Sequence, residues 1–297
     1  MLSSVKARLL RNPLFRASYL QARQTIELLP KQQRYRRLYG GRQSAEILDG
    51  ASTLRRDGLL VLPGFVPAEM VRQMRRAMDE AIQQGRYRYE GGKFAFEEPP
   101  ADSGALARLS LVDATFHSPR FVEHALNEFI HGVISAYLGM EMIIAGIVAY
   151  RTQPTSQPPK GAFLWHYDNA PLQVKAICYL TEVTADNGPF AYIKGTHGPR
   201  PLEASYEETR IDESVVPREG RVECVGTPGS VIIVDTTGIH RATPNTRGTR
   251  DVVSVIYDVG SRLRQASFYN MPIPSQVLRT LRPEQRRWLR IAEHCAY

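Results

Sequence analysis

The stretch DGLLVLPGFVPAEMVRQMRRAMDEAIQQG, residues 57–85, changes its hydrophobic period part-way. The apolar run LLVL ends at Pro63-Gly64, which reads as a short strand and a turn. Beyond Pro67, Val71, Met74, Met78, Ala81 and Ile82 recur three or four positions apart, the spacing of one helix face. Pro67 suits the first turn of that helix and Gly85 its end. A second helix is predicted over about 119–138, with Val122, Leu126, Phe129, Ile130, Val133 and Tyr137 as its buried stripe and Gly139 as its stop. Residues 86–116 hold Gly-Gly and Pro-Pro pairs and little periodicity, so they read as a long loop of the kind used as lids or binding loops. From Met142 to Val259 the chain turns to short Val/Ile/Tyr/Phe runs divided by Gly, Pro, Asn and Asp. The candidate strands are 142–150, 174–180, 189–194, 230–235 and 252–259. A closing helical segment, Ser275 to about Cys295, is interrupted by Pro283. The pattern is mainly β with flanking helices, and many short strands with turn signals imply a barrel or jelly roll.

Charge divides the chain unevenly. Of 38 Lys and Arg residues, ten fall in residues 1–43, against the single acid Glu27, so the rest of the chain is near neutral. The reading is a basic N-terminal arm, 1–43, ahead of a single domain, 44–297. A basic excess confined to an arm does not support a nucleic-acid-binding domain. The arm either packs on its own domain through Leu9, Leu14, Phe15 and Leu20, or lies on an acidic or membrane surface as basic amphipathic pieces. No apolar run is long enough to cross a bilayer and no secretory signal is visible. Cys178, Cys224 and Cys295 lack paired spacing, as in a reducing compartment. The expected location is cytoplasmic.

Candidate chemistry centres on Trp165-His166-Tyr167-Asp168. In extended chain, positions i and i+2 share a face, so the imidazole of His166 and the carboxylate of Asp168 can meet one ion. His240, just after the strand SVIIVD and the turn TTGI, is the best third ligand. Two histidines and a carboxylate on one face of an octahedral ion leave three positions open, the arrangement of non-haem iron(II) oxygenases. A His-x-Asp pair alone is a weak signal, and its surroundings add the specificity.

The segments WHYD, VKAICYLTEVTADNGPFAYIKGTHG, TPGSVIIVDTTGIHRATPN and GTRDVVSVIY, in that order, resemble the phytanoyl-CoA dioxygenase family of iron(II)- and 2-oxoglutarate-dependent oxygenases, and DGLLVLPGFVPAEMV resembles the family's opening. The likeness spans about 200 residues. It implies a double-stranded β-helix, a cupin-like jelly-roll barrel with helices outside. It also implies Fe(II) on His166, Asp168 and His240, with O2 and 2-oxoglutarate as cosubstrates. Arg250 matches the family's 2-oxoglutarate-binding arginine; its planar, permanently charged fork suits a carboxylate. The rivals are Arg247 for that role and an ion pair with Asp251 for Arg250 itself. The resemblance implies oxidation of a C–H bond of a small organic molecule. Halogenases of this kind carry a small residue at the carboxylate position, so Asp168 implies hydroxylation, desaturation or cyclisation. The alternative class is a cupin-like barrel that binds a metabolite or sugar without oxygenase activity. The chain departs from the family at Ala242, where a Ser often helps hold the cosubstrate, with Thr243 or Thr237 as substitutes. It also has Ile177 or Cys178 where many relatives have tryptophan.

Other residues read as structural. His197 and the Asn187-Gly188 pair belong to turns. His117, His124, His131 and His294 lack partner spacing. Of Trp165 and Tyr167, one is expected in the barrel and the other toward substrate. Tyr150 and Lys175 lie on strands that could face the cavity; an inward Lys175 could meet an acidic group, and a solvated, outward lysine is the favoured reading.

Overall fold

Two antiparallel sheets enclose the chain's chemistry in a computed structural model that describes residues 28–91, 94–96, 108–154, 159, 161–168, 172–198, 208–259 and 271–291. In chain order, the elements that position the site begin with helix α1 (Ala45–Asp57), strand β1 (Leu59–Leu62) and helix α2 (Ala68–Gln83). Strands β2 (Tyr87–Gly91), β3 (Phe94–Phe96) and β4 (Arg108–Leu111) follow, then helices α3 (Pro119–Ala125) and α4 (Glu128–Leu138). The barrel strands are β5 (Ile143–Thr152), β6 (Val174–Tyr179), β7 (Phe190–Ile193), β8 (Arg221–Cys224), β9 (Val231–Asp235), β10 (His240–Ala242) and β11 (Arg250–Asp258). Helices α5 (Ser275–Leu278) and α6 (Pro283–Trp288) close the described chain. The larger sheet runs β1-β9-β6-β11-β5-β4-β2-β3 and the smaller β10-β7-β8. This is the jelly roll with flanking helices.

The period of two on the central strands separates two cores. Along β11, Val253, Val255 and Tyr257 join the helix-covered core with Val71, Met74, Phe121 and Ile130. Val252 faces the other way, packing with Ile177, Tyr179, Ile232 and Val234 of the larger sheet and Phe190 and Tyr192 of the smaller. That second cluster is the barrel interior. A strand covered on both faces reads as a continuous apolar run, and β9, VIIVD, is buried at every position.

The α2 stripe is as expected: Val71, Met74, Met78 and Ala81 are buried and Ile82 is packed against the core. The long helix predicted over 119–138 is two helices, because Asn127 caps the second by accepting from the amide of Ile130. The predicted 86–116 loop contains β2 and β4, which extend the larger sheet beyond β5. The closing segment breaks at Arg282, with Pro283 opening α6, and residues 292–297, including His294 and Cys295, lie outside the described residues. Of the basic arm, residues 28–39 are helical. Leu28 enters the main core, and Tyr39 donates to Glu141 (2.8 Å), which also meets Arg34 and Arg287. This part of the arm packs on its own domain, and Leu9, Leu14, Phe15 and Leu20 lie outside the described residues. Among the described residues no helix is long and apolar enough to cross a membrane.

His124 and His131 are buried in α3 and α4, and burial holds both imidazoles down at about 4. Between the ordinary histidine value and that depressed one, the unfolded chain binds protons that the native state refuses. Stability is therefore present above about pH 6.5 and is lost as pH falls toward 4, by roughly 3 kcal/mol per histidine at most. Urea unfolding at about pH 7 and about pH 4.5 should show this loss, and His124→Leu should make it smaller, leaving the share of His131. An unchanged slope in that variant would remove His124 from the account.

Candidate metal centre

His166 and His240 face each other across an antiparallel bridge. The His166 amide donates to the His240 carbonyl (2.9 Å), and the His240 amide donates back (2.8 Å). The bridge adds the 166–168 segment to β10 and so continues the smaller sheet. Directly opposed residues project to one face, and the two ring centroids are 4.2 Å apart. Asp168, two residues on, returns to the same face, its amide donating to Thr236 O (2.7 Å). Its Oδ1 lies 3.7 Å from His166 Nε2 and 4.0 Å from His240 Nε2. All three ligand atoms fall within 4.8 Å of one another. Atoms so spaced leave a central point no more than about 2.5 Å from each, near a metal–ligand bond length.

The ring orientations suit a metal. His166 Nδ1 lies 2.8 Å from the Leu164 carbonyl and His240 Nδ1 2.8 Å from the Gly238 carbonyl. A carbonyl only accepts, so each Nδ1 carries the proton and each Nε2 lone pair points to the shared space. Burial holds both imidazoles below the ordinary histidine range, helped at His166 by the neighbouring His240, which keeps them neutral as ligands must be. Burial alone would raise the Asp168 carboxyl. The Lys175 ammonium and the two histidines outweigh it and hold the group well below the usual carboxylate range.

The approach to His240 is fixed from behind. Asp235 Oδ1 accepts from the amide (2.9 Å) and hydroxyl (2.6 Å) of Thr237, and its Oδ2 accepts from the Tyr137 hydroxyl (2.7 Å). Tyr192 Oη donates to the Asp235 carbonyl (3.0 Å) and fills the space beside Gly238, where an added Cβ would lie 1.9 Å from it. Only glycine fits that turn. Its carbonyl is the one that orients His240.

Arg250 opens β11 and is 2% exposed. It shares the barrel-facing side with Val252, and Tyr179 is near enough for the guanidinium to pull against the burial that raises that phenol. Its buried Nε has no hydrogen-bond partner among the described residues. Asp251 points to the opposite side and is held by Arg151, Nε to Oδ1 at 2.6 Å and a terminal nitrogen to Oδ2 at 2.7 Å. Asp251 is therefore not the partner of Arg250. Arg247 is exposed. The barrel thus holds a three-donor cluster and a buried guanidinium whose Nε lacks an acceptor among the described residues, which fits an iron ion with an anionic cosubstrate.

Residues 54–251 match the family model of phytanoyl-CoA dioxygenase. The chain belongs to this family. The epimerase SnoN, solved in complex with Fe3+, alpha-ketoglutarate and nogalamycin RO, superposes with a TM-score of 0.55 at 19% identity, over 72% of this chain and 84% of that one. The alpha-ketoglutarate-dependent carbocyclase SnoK from nogalamycin biosynthesis superposes at 0.56 and 18% identity, over 73% and 84%. At these identities the likeness is one of fold. No curated protein sequence gives a significant match.

Several secondary readings change in this phytanoyl-CoA dioxygenase family member. Lys175, read as outward and solvated, points inward: its Nζ lies 2.6 Å from Asp168 Oδ2. The reason is register, since Lys175, Ile177 and Tyr179 share the barrel-facing side of β6 while Ala176 and Cys178 face the helices. Trp165 packs on the far side of the smaller sheet rather than in the barrel, with Ala191, Ile193 and Val216. Its Nε1 donates to Glu213 (2.6 Å) and Arg241 lies over its ring. Thr237, a substitute considered for the missing serine, is committed to Asp235, whereas the buried Thr243 hydroxyl has no hydrogen-bond partner among the described residues. His197 meets the Arg55 carbonyl, and Asn187 braces its own turn through Thr184 and Glu182. Tyr150 packs on the interior cluster beneath Arg108, 3.6 Å from its ring centroid. The Asp235–Thr237 brace escaped sequence reasoning, and the inward lysine is the less favoured of the two readings the sequence offers. The available signals were the Asp-Thr-Thr-Gly spacing before His240 and the inward phase shared with Tyr179.

Proposed function

We propose that this protein is an Fe(II)- and 2-oxoglutarate-dependent oxygenase acting on a small organic molecule. His166 Nε2, Asp168 Oδ1 and His240 Nε2 hold the iron, and Arg250 receives the distal carboxylate of 2-oxoglutarate. The observation that carries the reading is the convergence of two correctly oriented imidazoles and one carboxylate oxygen in a barrel that also buries a guanidinium whose Nε has no acceptor among the described residues. When bound, iron with 2-oxoglutarate and O2 supplies an oxidant able to take hydrogen from a C–H bond.

The chain's own residues orient and enclose that chemistry. The carbonyls of Leu164 and Gly238 aim the two imidazoles. Arg250 fixes the cosubstrate by a charge-assisted fork, in surroundings dry enough to strengthen it. Phe190 packs beside the His240 ring, with centroids 5.5 Å apart, and restricts water on that side. Asp168 occupies a ligand position that leaves no room there for a halide, so the outcome is hydroxylation or another reaction begun by breaking a C–H bond, such as the ring closure or epimerisation that SnoK and SnoN are named for.

Anaerobic titration with Fe(II) and then 2-oxoglutarate is expected to develop a weak visible charge-transfer band, and oxygen should release succinate. Iron binding with no band on adding 2-oxoglutarate would point to a metal-dependent cupin of another class. Absence of both would leave a binding barrel.

A further inference from the structure

The two oxygens of Asp168 have different surroundings. Oδ1 faces the Nε2 atoms of His166 and His240, at 3.7 and 4.0 Å, while Oδ2 is capped by Lys175 Nζ at 2.6 Å. Lys175 sits on a central strand, in register with Val234 on one side and Ile256 on the other. The lysine backbone is therefore a rigid anchor. Asp168 is not in a regular strand and is tied by one backbone hydrogen bond, to Thr236.

We infer that Lys175 is a positioning residue that locks Asp168 as a one-oxygen ligand, keeping the ion's remaining positions open for the cosubstrate. The inference rests on the iron reading above and deepens it. A carboxylate free to turn can offer both oxygens to an ion, as carboxylate ligands do when unrestrained. On an octahedral ion held by three protein groups, that second oxygen takes a position a chelating keto acid needs. A charge-assisted hydrogen bond to Oδ2 prevents the turn and fixes the ligand's orientation, the task outer groups perform at metal sites. The same ammonium also repels a divalent cation a few ångströms away. Lys175 thus gives up metal affinity and gains cosubstrate access.

These two effects have opposite signs, which separates the proposal from a generic packing role. Mn(II) serves as a redox-inert probe, its free concentration read by electron paramagnetic resonance, and 2-oxoglutarate binding to the Mn(II)-loaded protein is read by calorimetry. Lys175→Met should bind Mn(II) about fivefold or more tightly, because the repelling charge is gone, and bind 2-oxoglutarate about fivefold or more weakly. Lys175→Gln keeps a neutral donor near Asp168 and guards against a methionine variant that fails to fold. It should show the same two signs at about twofold or more. Lys175→Arg should stay within about twofold of the parent for both ligands. Loss of both affinities together, no change in either, or any other pair of signs overturns the proposal. A parent protein that binds neither Mn(II) nor 2-oxoglutarate refutes the iron reading itself. A parent that binds both while the variants match it refutes only the role of Lys175.

Discussion

His240→Ala is expected to lower Fe(II) affinity by about two to three orders of magnitude and to abolish succinate release at micromolar iron, with the fold retained. The size follows from the value of one ligand. Four-ligand structural zinc sites are worth about 10–16 kcal/mol, so each ligand contributes roughly 3 kcal/mol or more. Retention of the fold follows from what holds residue 240. The bridge to His166 is made by backbone atoms, which alanine keeps. The preceding turn is fixed by Asp235, Thr237 and Tyr192, none of which bonds the imidazole. The lost hydrogen bond is the one from Nδ1 to Gly238 O, and that carbonyl lies at the site, where water can replace the ring. Anaerobic Fe(II) titration beside circular dichroism checks both parts. A variant that folds and binds iron within about tenfold of the parent would remove His240 from the ligand set.

The clustering of His166, Asp168 and His240 was legible because it rests on local geometry. A period of two puts His166 and Asp168 on one face whatever the rest of the chain does, and a strand followed by a short turn returns His240 toward that face. The direction of Lys175 stays open in the sequence between an inward and an outward reading, with the outward one favoured, for the converse reason. In VKAICYL the alternation defines two faces, but helices cover one and the barrel closes over the other, so no polar side marks which is inward. The lysine would ordinarily mark solvent, and only the three-dimensional presence of Asp168 reverses that reading. Strands β8 and β10, four and three residues long, are too short for any period to show. The Tyr87/Tyr89 alternation of β2 was hidden beside a Gly-Gly pair. The break at Asn127 kept the helical spacing of buried residues on both sides, so one stripe ran through two helices.

Arg250→Met should raise the dissociation constant for 2-oxoglutarate by about a hundredfold or more while leaving metal affinity in its absence within about twofold, since breaking a buried ion pair costs about 3–5 kcal/mol. The expectation follows from burial and from the missing acceptor. Arg250 is 2% exposed, its Nε has no hydrogen-bond partner among the described residues, and the neighbouring carboxylate, Asp251, serves Arg151 on the other face of the strand. A buried guanidinium held without its anion is a cost to the unliganded fold, so methionine in its place should leave the melting temperature unchanged or raise it by about a few degrees. Arg250→Lys keeps the charge but not the planar fork, and should lose about tenfold in 2-oxoglutarate affinity. Arg247→Ala, at an exposed position, should bind 2-oxoglutarate like the parent. The two arginines therefore separate cleanly by calorimetry with the Mn(II)-loaded protein. If Arg250→Met binds 2-oxoglutarate like the parent while Arg247→Ala does not, the cosubstrate enters from the solvent side of the 243–249 turn. The buried guanidinium would then be a stabilising element of the barrel, and its removal should lower the melting temperature instead of raising it.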